Sequence, residues 1–225
     1  MKIEDAQVVV LVENLYQELE LWTPLFRLRE AGANVLTVAP SAEAVYASKL
    51  GYPIKADLAV NEVDASQIDA IVIPGGFAPE NFRRTPAILQ LVKKVHEQGS
   101  LVAAICHAGW VLASAGIAKG KRMTCVGLIK DDVIHAGANY IDEAVVVDGN
   151  LLTSRLPSDL PQFCGAIVKY LAEHPSRRDP AKKLARVPGR ALTSAVYAKP
   201  ARFVTTPVGK ASANYRQHAV LPKGS

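Results

Sequence analysis

Cysteine, tryptophan and methionine are all scarce in this chain: three, two and two residues in 225, with aromatics at only 6%. Cys106, Cys125 and Cys164 form no CxxC pair and are odd in number, which excludes a fully paired disulfide framework. Their spacing to the five histidines matches no metal-ligand motif, so no structural metal and no cofactor is expected. No apolar run approaches the ~20 residues that a bilayer span requires. The opening MKIEDAQ carries two acids and no apolar stretch, so the expectation is a cytoplasmic protein with free thiols and no membrane partner. A further scarcity is regional. Residues 175–225 contain one acid, Asp179, against eleven Lys and Arg, a net of +10. Residues 1–174 carry 20 acids and 15 bases, a net of −5. The chain's overall +5 therefore belongs to its tail, and any nucleic-acid partner would be held through that tail.

What is abundant is alternation of strand and helix signals. Gln7–Val12, Asn34–Ala39, Ile68–Ile73 and Leu101–Ile105 are short apolar runs of strand length, as expected for strands buried on both faces. Between and after them, Leu19–Ala31, Pro86–Gln98, His107–Ala115 and Leu160–Ala172 repeat apolar residues at helical spacing, with Gly32 and Gly116 as stops. Val145–Val147 and Leu151–Ser154 flank Asp148-Gly149-Asn150, a hairpin signal at the sheet edge. The pattern predicts an α/β domain over 1–174, with a mostly parallel sheet and helices on both faces. Residues 175–225, rich in proline and basic residues, read as an irregular C-terminal extension. It could dock on the acidic body, bind nucleic acid, or stay mobile.

In such sheets ligands bind at the carboxyl ends of the strands. There the chain reads LVAAICHAG: an apolar strand runs into Cys106 and a helix follows at once, with small Ala104, Ala108 and Gly109 around it. That is a nucleophile elbow with cysteine in the place of serine. The elbow sets the sulfur at a helix N-terminus, which favours thiolate. The bland alternative is a buried structural cysteine. His107 is a candidate base or acid, or simply the start of the helix. Pro74-Gly75-Gly76 ends the preceding strand, and its glycines allow backbone N–H groups to join the His107 amide in an oxyanion site, unless it is a plain turn. Glu20, at the start of an apolar helix, could reach back to the elbow, or could share a solvated face with Glu18. Arg155 is a candidate substrate ligand or a structural ion pair. Cys125 and Cys164 read as core residues, and His96 as solvated beside Lys93, Lys94 and Glu97. His135 and His218 have no assigned role.

Taken together, YQELELWTPLFRLREAGANV (16–35), DAIVIPGGFAPE (69–80), AAICHAG (103–109), IKDDVIHAGA (129–138) and VVVDGNLLTSRLPSDLPQF (145–163) resemble the DJ-1/PfpI superfamily, within it the PfpI-like intracellular protease branch. The resemblance covers residues 7–173 and leaves the extension outside. It implies a flavodoxin-like three-layer sandwich, Cys106 as the reactive cysteine, Glu20 as the buried acid against it and His107 as the elbow histidine. It further implies that Glu80, after the PGG turn, completes the site of a neighbouring subunit, so that a homodimer or hexamer is expected. The family's F-E-x-x-E stretch reads Tyr16-Gln17-Glu18-Leu19-Glu20 here, with Gln17 in place of the first acid. The expected function is a cysteine hydrolase of stress protection, of glyoxalase or deglycase type, taking small carbonyl compounds or glycated substrates. An intracellular peptidase, and a non-catalytic redox sensor or chaperone, are the alternatives.

Overall fold

In the computed structural model, residues 2–179, 181, 182 and 184 are described. The chain runs β1 (Gln7–Leu11), α1 (Glu18–Glu30), β2 (Asn34–Ala39), β3 (Val45–Ala47), β4 (Pro53–Lys55), β5 (Leu58–Ala59), β6 (Ala70–Ile73), α2 (Ala78–Arg83) and α3 (Pro86–Glu97). It continues through β7 (Leu101–Ile105), α4 (Gly109–Ser114), β8 (Arg122–Met123), α5 (Lys130–His135), β9 (Asn139–Tyr140), β10 (Val145–Asp148), β11 (Leu151–Ser154) and α6 (Leu160–Glu173). The main sheet has seven strands in the order β10-β11-β7-β6-β1-β2-β5. Every neighbouring pair is parallel except the β10–β11 hairpin at one edge. Every residue of β1, β6 and β7 is buried, which is why their sequences, Gln7 apart, read as continuous apolar runs rather than alternating ones.

Strand order reverses direction between β1 and β6: from β1 the chain steps outward to β2, whereas from β6 it steps the other way to β7. Right-handed crossovers then place α1 and α3 on opposite faces. α1 packs with α6, and α2, α3 and α4 form a second contiguous group. The fold is the expected three-layer α/β sandwich.

The same reversal opens a crevice at the carboxyl ends of the central strands. In register, Val10 pairs with Val72 and Ile73 with Ala104. The loops after β1, β6 and β7 therefore emerge side by side, although 95 residues separate Leu11 from Cys106.

The structure departs from the sequence reading at the elbow. A short 3₁₀ turn, Cys106–Ala108, precedes α4, so the α-helix starts at Gly109 rather than His107. Cys106 itself has φ +62°, and a 3₁₀ turn is the tighter way out of that conformation. Small strands β3 and β4 form a separate antiparallel hairpin that sequence periodicity did not reveal.

The extension is anchored at its start. After α6, Arg178 Nε meets the buried Asp69 Oδ2 at 3.0 Å, and the Ser176 hydroxyl donates to the other Asp69 oxygen. Lys182 Nζ lies 3.2 Å from Asp64, and Leu184 is buried in the core. The nucleic-acid reading of the 175–225 extension falls for the most part outside the described residues.

Candidate active site

Cys106 is one of two non-glycine residues with positive φ among the described residues; Leu15 is the other, also φ +62°. A β-carbon at positive φ is strained by about 1–2 kcal/mol, and the surrounding packing must hold it there. That packing is tight. A β-carbon on Gly109 would come within 3.0–3.2 Å of Val133, Cys125 and Ile129, so only glycine starts α4 without displacing them. The strained turn lifts the sulfur out of the strand, and Cys106 keeps 8% of its surface exposed.

Gly75 lies between the acid and the nucleophile. Its N–H donates to Glu20 Oε2 at 2.8 Å. An added β-carbon there would sit 2.6 Å from that oxygen and 2.7 Å from the Cys106 β-carbon. Gly76 (φ +78°) is equally confined: a β-carbon added there would sit 2.6 Å from the Gln17 nitrogen and from the Leu15 carbonyl oxygen. The backbone N–H groups of Gly76 and His107 both donate to the Cys106 sulfur. The PGG turn is thus a pair of close backbone approaches, one to each partner of the Glu20–Cys106 pair.

Glu20 is fully buried and its carboxyl also contacts the Cys106 sulfur. Burial pushes it from an ordinary 4.5 up to about 7, against the lowering pull of the Gly75 amide, the thiol and Lys49. Its second oxygen, Oε1, is buried with no partner of full hydrogen-bond geometry among the described residues. Burial, then the charge of Glu20, pushes the Cys106 thiol up to about 12, while the two amides pull it down. The helix-terminus stabilisation expected from sequence is therefore outweighed: the resting pair is a thiol beside a carboxylate that can take its proton.

Gln17 has a structural task. Its side-chain oxygen caps α1 by accepting the Glu20 N–H at 2.9 Å, and its own N–H donates to the Gly75 carbonyl. Replacing the acid by an amide leaves Glu20 as the carboxyl on the sulfur. Glu18, one position off, accepts the Leu50 N–H at 2.7 Å instead.

His107 is half-buried between two rings. Trp110 meets it edge-on at 5.0 Å, and Phe77 lies at 6.3 Å. Burial, then Lys49, lowers its pKa, which favours the neutral imidazole. Its Nδ1 is buried and has no hydrogen-bond partner among the described residues. Glu80 is exposed on α2, three residues past Phe77, and its carboxylate makes no ion pair or hydrogen bond among the described residues. The protomer does not bring it to His107.

Arg155 is also at this sheet edge, because Ser154 pairs with Ile105. Its guanidinium is held by Asp159 at 3.0 and 3.3 Å and by Asp142 at 2.8 Å. The structural ion pair is the arrangement present, and the candidate substrate role has no geometry here. Cys125 and Cys164 are buried. His96, expected to be solvated, is half-buried with Nδ1 unpartnered. Among the described residues no three His, Cys, Asp or Glu side chains group as a metal site, and no helix is long and apolar enough to cross a membrane. Sequence reasoning passed over Phe77, Trp110 and Lys49, which come from separate loops and helices and share no spacing signal.

The sequence pattern of the DJ-1/PfpI family matches residues 6–170. The chain belongs to the DJ-1/PfpI family. It is 40% identical over 165 residues to Deglycase PfpI of Pyrococcus furiosus, covering 73% of this chain and 99% of that one. It is 39% identical over 157 residues to the "Putative cysteine protease YraA" of Bacillus subtilis, covering 70% and 93%. Among solved structures, Drosophila melanogaster DJ-1beta superposes with a TM-score of 0.71 at 29% identity, over 76% of this chain and 92% of that one. Family membership accounts for the elbow and the sheet; residues 171–225 lie beyond the matched pattern.

Proposed function

We propose that this family member is a cysteine hydrolase acting on carbonyl compounds, of the glyoxalase or deglycase type. The observation that carries the reading is the Glu20–Cys106 pair: a strained, slightly exposed sulfur against a buried carboxyl whose pKa is about 7. As the sulfur adds to an aldehyde carbon, Glu20 takes the thiol proton and the carbonyl π pair moves to oxygen. The amides of Gly76 and His107 support the negative charge as it passes from sulfur to that oxygen.

For methylglyoxal the adduct is a hemithioacetal. Glu20 is suited to the next step, because a group near 7 both accepts and returns a proton at neutral pH. The C–H proton leaves the carbon bearing sulfur, giving an enediol, and returns to the neighbouring carbon, giving a lactoyl thioester. Water cleaves that thioester to lactate and restores the thiol. In an adduct of methylglyoxal on an amine, the C–N bond of the hemiaminal breaks and an S–C bond forms at the same carbon; the amine leaves with the thiol proton, and the resulting hemithioacetal follows the same course. A relative named a deglycase supports this choice, and one named a putative cysteine protease keeps peptide hydrolysis as the second reading.

The unpartnered Nδ1 of His107 and the exposed, unpaired Glu80 support a site completed between subunits. In a homodimer or hexamer, Glu80 from a neighbour would orient the imidazole for leaving-group protonation. The deciding experiment is steady-state loss of methylglyoxal by wild type and Cys106→Ser, with free-amine release from a peptide as a parallel channel. Cys106-dependent methylglyoxal loss without cleavage is the expected result. Cleavage would move the protein to the peptidase reading, and silence in both channels would overturn the hydrolase assignment.

A further inference from the structure

Four groups outside the Glu20–Cys106 pair line up across His107. Lys49 Nζ lies 5.4 Å from the centre of the Phe77 ring, Phe77 lies 6.3 Å from His107, His107 lies 5.0 Å from Trp110, and Arg83 caps Trp110 at 6.0 Å. The elbow histidine is therefore flanked by two rings, each with a cation over it. The two cations differ in freedom. Arg83 is tied to Ser114 by a 2.7 Å hydrogen bond from its Nε. Lys49 has no ion-pair partner among the described residues; Glu18, whose carboxylate feels its charge, is turned onto the Leu50 amide.

The backbone of Lys49 is fixed in place, although the residue is exposed. It sits in the turn between β3 and β4, where its N–H donates to the Tyr16 carbonyl at 3.0 Å. The buried Ser48 hydroxyl accepts the N–H groups of Leu50 and Tyr52, and the Tyr16 hydroxyl donates to the Tyr52 carbonyl at 2.7 Å. Tyr16 in turn bridges to both Ser48 and Gly76. The hairpin is thus laced to the PGG turn, and its lysine stands on the rim of the cysteine site. The ammonium reaches the site electrostatically, since both Glu20 and His107 feel its charge.

We propose that Lys49 is a specificity residue that draws carboxylate-bearing carbonyl substrates to Cys106, so that adducts on free amino acids or acidic peptides are preferred over neutral ones. The proposal rests on Cys106 as the reacting group. A carboxylate fits better than a phosphate because Lys49 offers one point charge without an ion-pair partner among the described residues, while Arg155 is neutralised by Asp142 and Asp159 and Arg83 is tied through its Nε to Ser114. A rim charge of this kind acts mainly on encounter and binding.

The test separates charge from catalysis. Cys106 is alkylated with iodoacetate or iodoacetamide, two reagents that differ in charge but share one displacement: the S–C bond forms, the C–I bond breaks, iodide leaves and the thiol proton is lost. Rates at Cys106 are read by peptide mass spectrometry in wild type, Lys49→Gln and Lys49→Arg. The iodoacetate-to-iodoacetamide rate ratio is expected to fall about three- to tenfold in Lys49→Gln, recover in Lys49→Arg, and decline with salt only where a cation is present. An unchanged ratio overturns the proposal. A parallel comparison of the methylglyoxal adducts of N-acetylcysteine and its uncharged amide should show the same charge preference in kcat/KM. Absence of turnover in wild type, together with an alkylation ratio that does fall in Lys49→Gln, would overturn the hydrolase reading and leave the role of Lys49 standing.

Discussion

Gly75 donates its backbone N–H to Glu20 Oε2 at 2.8 Å while standing against the Cys106 β-carbon, so one glycine spaces the acid from the nucleophile. That spacing gives the first prediction. Gly75→Ala places a methyl 2.6 Å from the carboxyl oxygen and 2.7 Å from the cysteine. Overpacking of this kind costs about 1–3 kcal/mol of stability, and it separates the pair that the proposed chemistry needs. Denaturant titration and methylglyoxal turnover should both fall. A variant with normal stability and activity would refute the spacing role.

Glu20 sets a pH dependence of stability with a definite sign. Its carboxyl is raised from 4.5 to about 7 by burial, so between those values the folded chain holds a proton that the unfolded chain has lost. Its contribution is fully present below 4.5 and is lost as pH rises through about 7, a change of up to about 3 kcal/mol. Glu20→Gln removes the titration. The stability difference between Glu20→Gln and wild type should therefore move in favour of glutamine from pH 4 to pH 8, measured by urea unfolding. A gap that stays constant across that range would contradict the buried-carboxyl account.

Activity should follow the same group in the opposite sense. A carboxylate acting as base is needed in its ionised form, so kcat/KM in wild type should climb with pH through about 7. Glu20→Gln should lower kcat by about 10²–10⁴-fold and abolish that limb of the profile. Retention of the limb would assign the titration to another residue.

Subunit mixing tests Glu80. Cys106→Ala and Glu80→Gln chains are each expected to be impaired. Refolded together, they should regain part of the activity, because an intact Cys106 then meets an intact Glu80 from its neighbour. Failure to recover above the sum of the separate variants would confine Glu80 to a role outside the site.

The start of the extension is predicted to stabilise the domain. Arg178→Ala leaves the buried Asp69 carboxylate with its hydrogen bonds but no counter-charge, at a cost of about 3–5 kcal/mol. Thermal unfolding of Arg178→Ala should occur well below that of the wild type. Equal melting temperatures would mean that the Arg178–Asp69 contact contributes little in solution.

The sequence alone determined those features that depend on near neighbours in the chain. Runs such as Gln7–Leu11 and Leu101–Ile105 specify doubly buried parallel strands because every one of their side chains is apolar or faces the core. Ala104, Ala108 and Gly109 around Cys106 announce a tight elbow, and at Gly109 a β-carbon would crowd Val133, Cys125 and Ile129. Contacts between distant segments were decided only by tertiary structure. The register of β6 between β1 and β7 brings Gly75 to both Glu20 and Cys106, and it settles that Glu20 rather than Glu18 faces the sulfur. Burial then reverses the expected ease of ionising Cys106, since desolvation and a neighbouring carboxylate depend on what packs around the thiol, not on its helix terminus. The engagement of Arg155 by Asp142 and Asp159, the half-burial of His96 and the docking of Arg178 on Asp69 have the same origin. A charge has no partner in sequence; it acquires one only when the fold sets the two side by side.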